Sequence, residues 1–288
     1  MVMASARART GQLDAVRVAR SGVRSGAVGW GWPLGLLFLR LGIIAVGMGV
    51  VFGVARLLHS PQELLYALTA AMPLTLVANL VSLEILIWRG HAEGFRLRQL
   101  IGFRGGLVPV LKDLGWSLLW LLGLQLLFTV TLVGVTYLLA RPTDLISLVN
   151  GVNRLFVDRM GPQVALSFPL WYSILIALLF PLANSLFEEM HYRGYVQPRL
   201  IARSRHTWIG IPITAVAFGV QYGAYAWAWG SVPVFMAAYF VWGLFAGVIS
   251  HLHRRILPLL IAHFVVSIPV AGLPLTYSAL NAFAAYLR

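Results

Sequence analysis

Asn184-Ser185-Leu186-Phe187-Glu188-Glu189-Met190-His191-Tyr192-Arg193-Gly194 closes a long apolar run, and the reading of this stretch decides the fold. Residues 166–187 contain no charged side chain, so the paired acids arrive where a membrane-spanning helix would still be under way. If the helix continues from Leu166 to Gln197, where Pro198 is expected to stop it, the pair lies about nine residues, or ~14 Å, from its end. That depth is inside a bilayer. The alternative is a span ending at Phe187, which leaves the acids in an ordinary charged interface. Glu189 and Arg193 are four apart and share a helix face. Glu188 points about 100° away from Glu189, so the two carboxylates can take different roles.

The rest of the chain supports the membrane reading. Of 288 residues, 59% are hydrophobic and 11% charged, too little charge for the surface of a soluble domain of this length. The chain reads as an all-α, polytopic membrane bundle of seven to eight helices. The expected spans are Pro33 to Leu58, Leu64 to Trp88, Gly115 to Ala140, Leu166 to Gln197, Trp208 to Trp227, Val232 to His251 and Ile256 to about Ala271. Pro269 and Pro274 are expected to break the last run, and a short eighth helix follows from Tyr277 to Leu287. Residues 1–27 form a basic arm and 28–288 a single bundle. The apolar run after the arm is too long for the core of a cleavable signal.

Basic residues set the orientation. Arg7, Arg9, Arg17, Arg20 and Arg24 precede the first span, and Arg89, Arg96, Arg98, Arg104 and Lys112 follow the second. Arg193, Arg199, Arg203 and Arg205 follow the fourth span, and Arg254 and Arg255 the sixth. The alternate loops hold only Arg56, Arg141, Arg154 and Arg159. The positive-inside rule therefore puts the N-terminus in the cytoplasm, with a bacterial cytoplasmic membrane as the expected location. The formal charge of +13 is read as contact with anionic lipid, not nucleic acid. The ten tryptophans fall mostly near span ends, as interfacial belts do.

Ionisable groups within spans face a bundle interior or a cavity. Glu84, one turn from Trp88, reads as an interfacial carboxylate or a partner for Arg40. His191, one turn beyond Glu188, reads either as an interfacial residue facing headgroups or as a histidine that serves Glu188. His251 and His253, beside Arg254, read as solvated. Cysteine is absent, which removes disulfides, thiolate metal ligands and a thiol nucleophile.

The pattern Glu-Glu-x-x-x-Arg, then Phe-x-x-x-His, then His-x-x-x-Asn on successive membrane helices is that of the CPBP family, the CAAX-prenyl-endopeptidase and bacteriocin-processing intramembrane proteases. Glu188-Glu189-Met190-His191-Tyr192-Arg193 resembles its first motif in full. Phe218-Gly219-Val220-Gln221-Tyr222 resembles the second and His263-Phe264-Val265-Val266-Ser267 the third, over roughly residues 165–270. Two positions depart: Tyr222 stands in place of histidine and Ser267 in place of asparagine.

The resemblance implies peptide hydrolysis by an activated water. Glu188 is then the candidate base, Glu189 with Arg193 orients the site, and His263 holds water or substrate. Tyr222 has an ordinary pKa near ~10, so it donates a hydrogen bond in place of acting as a base. Ser267 keeps a hydroxyl donor. No cofactor is assigned; a divalent metal such as zinc is weakened by Tyr222, since catalytic zinc usually has three protein ligands.

Two readings stay open. One is an endopeptidase acting on a membrane-associated peptide or lipidated protein. The other is a catalytically impaired relative serving as scaffold, chaperone or subunit of a membrane complex. A transporter would show inverted repeats, and none is visible.

Overall fold

The computed structural model describes residues 19–20, 22, 26, 29–60, 66–67, 70–103, 106–156, 169–226 and 229–286. Most of the basic arm, the expected span starts at Leu64 and Leu166, Trp227 and Leu287 lie outside them. Among the described residues the chain is helical and has no strand. The helices are α1 (Gly31–Leu57), α2 (Ala71–Glu93), α3 (Leu97–Ile101), α4 (Leu107–Ala140) and α5 (Leu145–Phe156). They continue as α6 (Leu170–Glu189), a π-helical segment (Met190–Val196), α7 (Gln197–Ser204), α8 (Thr207–Gly223), α9 (Val232–His253) and α10 (Leu257–Tyr286).

Among the described residues, six helical runs are long and apolar enough to cross a membrane: α1, α2, α4, the continuous run Leu170–Ser204, Trp229–His253 and Leu257–Thr276. The protein is therefore an integral membrane protein. The helix α8, at 17 residues, is ~26 Å long at 1.5 Å per residue and shorter than the others. Neighbouring helices form a closed circuit in the order α1, α2, α6, α10, α4, α9, α8 and back to α1. The outer faces of these helices are lipophilic, with Phe38, Leu80, Leu122, Leu178 and Val216 all exposed. Arg40, Asn79, Asn184, Glu188 and Glu189 are buried inside, the inverse of a soluble bundle.

Three expectations about helix ends need correction. Pro198 does not stop the fourth span: the run passes through it to Ser204, where Arg205 adopts φ 63°. A wider π turn lies immediately upstream, and its shifted hydrogen-bond register takes in a residue without an N–H. Pro269 and Pro274 lie inside α10 without ending it, so the expected eighth helix is the tail of α10. In lipid, leaving the helix strands many backbone groups, whereas proline removes one bond. Two further helices, α3 and the amphipathic α5, were not anticipated. The start of α5 is held by Asp144, whose Oδ1 accepts the Ser147 N–H at 2.7 Å. That bond, with the Ser147 hydroxyl, keeps the exposed Asp144 carboxyl below its ordinary range.

Close approach depends on two glycines. A Cβ at Gly219 would sit 2.6 Å from the Met236 carbonyl, so α8 and α9 touch backbone to backbone there. At Gly247 it would meet Gln197 Oε1 at 2.8 Å, the amide that anchors α7 to α9 by donating to the Gly247 carbonyl at 2.9 Å. At one end of the bundle Glu93 gathers Arg89 at 2.6 Å, the Tyr195 hydroxyl at 2.8 Å and Arg199. This knot ties α2 to the π segment and fixes the helix that carries the acid pair.

Candidate functional site

The acid pair sits at the junction of α6 and the π segment, in the middle of the run Leu170–Ser204. Both glutamates are fully buried. Their surroundings differ, as the 100° offset between adjacent helical residues implies.

Glu188 is held from both sides. Its Oε1 accepts Arg40 Nη2 at 2.5 Å and the Gln221 side-chain amide. Its Oε2 accepts the Tyr222 hydroxyl at 2.9 Å and Asn184 Nδ2 at 3.4 Å. Arg40 comes from the middle of α1 and is itself fully buried. Its Nε donates to Gln221 Oε1 at 2.5 Å, where the Tyr192 hydroxyl also donates at 2.8 Å. Asn184 extends the network, donating to the Tyr222 oxygen at 3.0 Å and accepting from Asn79 of α2 at 3.3 Å. A buried carboxylate is tolerated only when paired and hydrogen-bonded, and Glu188 meets both conditions.

Glu189 has a sparser environment. Its Oε1 accepts Arg193 Nη1 at 3.1 Å and lies 2.9 Å from His263 Nδ1. Its Oε2 is buried with no hydrogen-bond partner among the described residues. Arg193 lies over the Phe218 ring, 4.3 Å from its centroid, and donates to the Gly243 carbonyl at 3.4 Å. Phe218 stacks in turn on Trp242, at 5.4 Å and 14°. The second-motif phenylalanine therefore packs the arginine of the first motif against α9.

A cavity of about 500 Å³ opens beside this cluster, between α4, α6, α8, α9 and α10. Asn184, Tyr222, His263 and Ser267 line it, with an aromatic wall that includes Phe128 and Tyr239. The Tyr222 and Tyr239 rings stack at 3.8 Å. The carboxylates do not line the cavity: Tyr222 and His263 stand between it and them. Ser267 reaches the cavity wall but donates its hydroxyl to the His263 carbonyl at 2.9 Å, within its own helix.

Thus Glu188, Glu189, Arg193, Tyr222 and His263 converge, and Ser267 lies one turn beyond them. Arg40 does not pair with Glu84; its partner is Glu188, and Glu84 is exposed on α2. His191 neither faces headgroups nor joins Glu188. It is buried, and neither ring nitrogen has a hydrogen-bond partner among the described residues. The one-turn spacing expected of an α-helix does not apply through a π turn. His253 is not free in solvent, since its ring lies edge-on to Trp116 and Trp120 at 4.8 and 5.3 Å.

Arg40, Gln221 and Asn184 were missed as site residues. The signal for Arg40 was available: a lone arginine within an apolar span is as anomalous as a lone glutamate. Gln221 and Asn184 lie within quoted motifs, but single amides carry no distinguishing pattern.

These residues do not fit a zinc site. Among the described residues no three His, Asp or Glu side chains are grouped to hold a metal ion. The Arg40 guanidinium already places a cation against Glu188, and a second cation there would be repelled.

The fold and cluster define an integral membrane protein with a buried acid, arginine and histidine constellation beside an intramembrane cavity. Residues 169–268 match the type II CAAX prenyl endopeptidase Rce1-like family, which supports membership of the CPBP intramembrane proteases. No curated protein and no solved structure matches the chain. The matched segment begins just before α6 and ends within α10, so Arg40 lies outside it.

Proposed function

We propose that this chain is a CAAX-protease-type endopeptidase that hydrolyses a peptide bond in a membrane-associated or lipidated substrate. The observation that carries the reading is convergence. Three separate helical segments bring Glu188, Glu189, Arg193, Tyr222 and His263 into one buried cluster at the wall of a peptide-sized cavity. One glutamate of the pair activates the attacking water, directly or through His263, and the aromatic wall receives apolar substrate side chains. The distribution of arginines supports seven spans, counting α8, with a cytoplasmic N-terminus and the cluster in the cytoplasmic half. Substrate then enters from the cytoplasmic side.

A non-proteolytic role as scaffold or complex subunit is favoured by one observation: both Glu188 oxygens are occupied by the protein's own donors. The test is cleavage of an internally quenched, farnesylated CAAX peptide in proteoliposomes by wild type and Tyr222→His. Turnover by wild type supports the endopeptidase. No turnover by wild type, with activity created by Tyr222→His, supports the scaffold.

A further inference from the structure

A second cavity, of about 480 Å³, lies between α1 and α8, apart from the one beside His263. Leu41, Ala45, Gly49 and Phe52 line it along α1. They recur at the helical period, so one face of α1 forms a wall. Val220 and Gln221 of α8 lie opposite, and Trp229 lines it at the end of the bundle reached by the α1 C-terminus. Small side chains leave the space: a Cβ added at Gly49 would meet no atom within 4 Å, and Ala45 and Gly49 are exposed. From Leu41 to Phe52 is ~16 Å of helix at 1.5 Å per residue. That is about half of a ~30 Å hydrocarbon core. Leu41 is near the middle of α1 and Phe52 near its C-terminus. The groove therefore has the depth of one leaflet, from the bilayer centre to the end of the bundle away from Arg96, Arg199 and Arg254.

The lining identifies what fills it. The Gln221 amide is engaged inward, accepting from Arg40 and Tyr192 and donating to Glu188. The other walls are hydrocarbon or the Trp229 ring, and they offer water too few partners to hold it. A hollow left empty forfeits dispersion contacts. Acyl chains already surround α1, whose Val46 and Val50 are exposed on the neighbouring face. Gln221 and Tyr222 are adjacent on α8 yet line different cavities. Helix α8 thus divides the groove from the space beside His263, and an apolar chain on a substrate held there does not reach it.

We propose that the α1–α8 groove binds one acyl chain of a phospholipid from that leaflet, and that the bound chain seals the Arg40–Gln221–Glu188 network on its lipid side. The chain end abuts Gln221, behind which the two buried charges lie. Water entering there would compete for their hydrogen bonds. The site does not depend on the endopeptidase reading. A chain that moves from bilayer to groove exchanges one hydrocarbon medium for another, so packing alone holds it. Binding is therefore measured in detergent, where competing lipid is scarce.

The test is native mass spectrometry of delipidated full-length protein titrated with palmitoyl-oleoyl-phosphatidylglycerol. Wild type is expected to hold one lipid per chain. Ala45→Phe and Gly49→Phe, which place a ring in the groove, should bind it at least ~10-fold more weakly. Val46→Phe, on the neighbouring face, should bind as wild type does. At lipid about 100 times Kd, the wild type should melt ~5–10 °C higher than without lipid. Gly49→Phe should melt above the delipidated wild type and gain less than ~2 °C from lipid, because its ring replaces the chain. A wild type that holds no lipid overturns the proposal, as does equal binding by wild type and both groove variants. Displacement of the lipid by an equimolar farnesylated CAAX peptide assigns the groove to a substrate chain and also overturns it. Because the phenylalanine variants can fail to fold, the wild type is also photolabelled with the same lipid carrying a diazirine in its palmitoyl chain. Adducts that survive detergent washing and map to Ala45, Gly49 or Val220 support the site. Adducts spread evenly over outer residues such as Leu122 and Leu178 refute it.

Discussion

Replacing Arg40 with methionine tests whether the first helix, which lies outside the family-matched segment, holds the site together. Arg40 and Glu188 are both fully buried and 2.5 Å apart, and Arg40 Nε makes a second bond to Gln221. Methionine keeps the apolar stem and removes the charge, leaving Glu188 with neutral donors only. Breaking a buried ion pair from one side costs about 3–5 kcal/mol. At roughly 2–4 °C per kcal/mol for a chain of this size class, the melting temperature should fall by ~6–20 °C. Arg40→Lys keeps the charge but presents one nitrogen where two are used, and should cost about 1–2 kcal/mol. The double variant Arg40→Met/Glu188→Gln removes both charges and should be at least ~1.5 kcal/mol more stable than the sum of the single effects. The assay is thermal unfolding in detergent, followed by tryptophan fluorescence. An Arg40→Met melting temperature within ~2 °C of wild type would refute the reasoning. Strict additivity in the double variant would do the same.

Three further predictions bear on packing and the cavity. Gly219→Ala forces a methyl to within 2.6 Å of the Met236 carbonyl and should destabilise the α8–α9 contact by about 1–3 kcal/mol, read from the same melting assay. Tyr222→Phe removes the hydroxyl that bridges Glu188 and Asn184; the expected cost is about 1–3 kcal/mol, and unchanged stability would mean the bridge contributes nothing. Val266→Trp projects into the cavity of about 500 Å³ and should lower kcat/KM for the CAAX peptide by at least ~10-fold with little change in melting temperature; unaltered cleavage would place the substrate elsewhere.

Much of the architecture was legible because membrane solvation is a coarse and strong constraint. Pro33 to Leu58 and Val232 to His251 come within two residues at each end of the observed helices Gly31–Leu57 and Val232–His253, since long apolar runs mark themselves. Helix ends at prolines were less legible. Pro198, Pro269 and Pro274 read as breaks by soluble-protein rules, and each lies inside a continuous helical run. The i,i+4 pairing of Glu189 with Arg193 was predictable from spacing and is present. The adjacent expectation for His191 failed because a π turn changes which residues share a face.

Sequence alone determined that the chain is an integral membrane protein, that its acid pair is anomalous, and which motifs surround that pair. Those conclusions rest on composition and short-range order, and the bilayer enforces them residue by residue. Tertiary structure alone decided what each acid contacts. Arg40 and Gln221 lie 148 and 33 residues from Glu188 in the chain, and no local pattern couples such positions. Burial makes every donor count, because an unpaired charge in a dry interior costs several kcal/mol. The folded bundle therefore gives Glu188 to Arg40, Gln221, Tyr222 and Asn184. It leaves Glu189, one residue on, to Arg193 and His263.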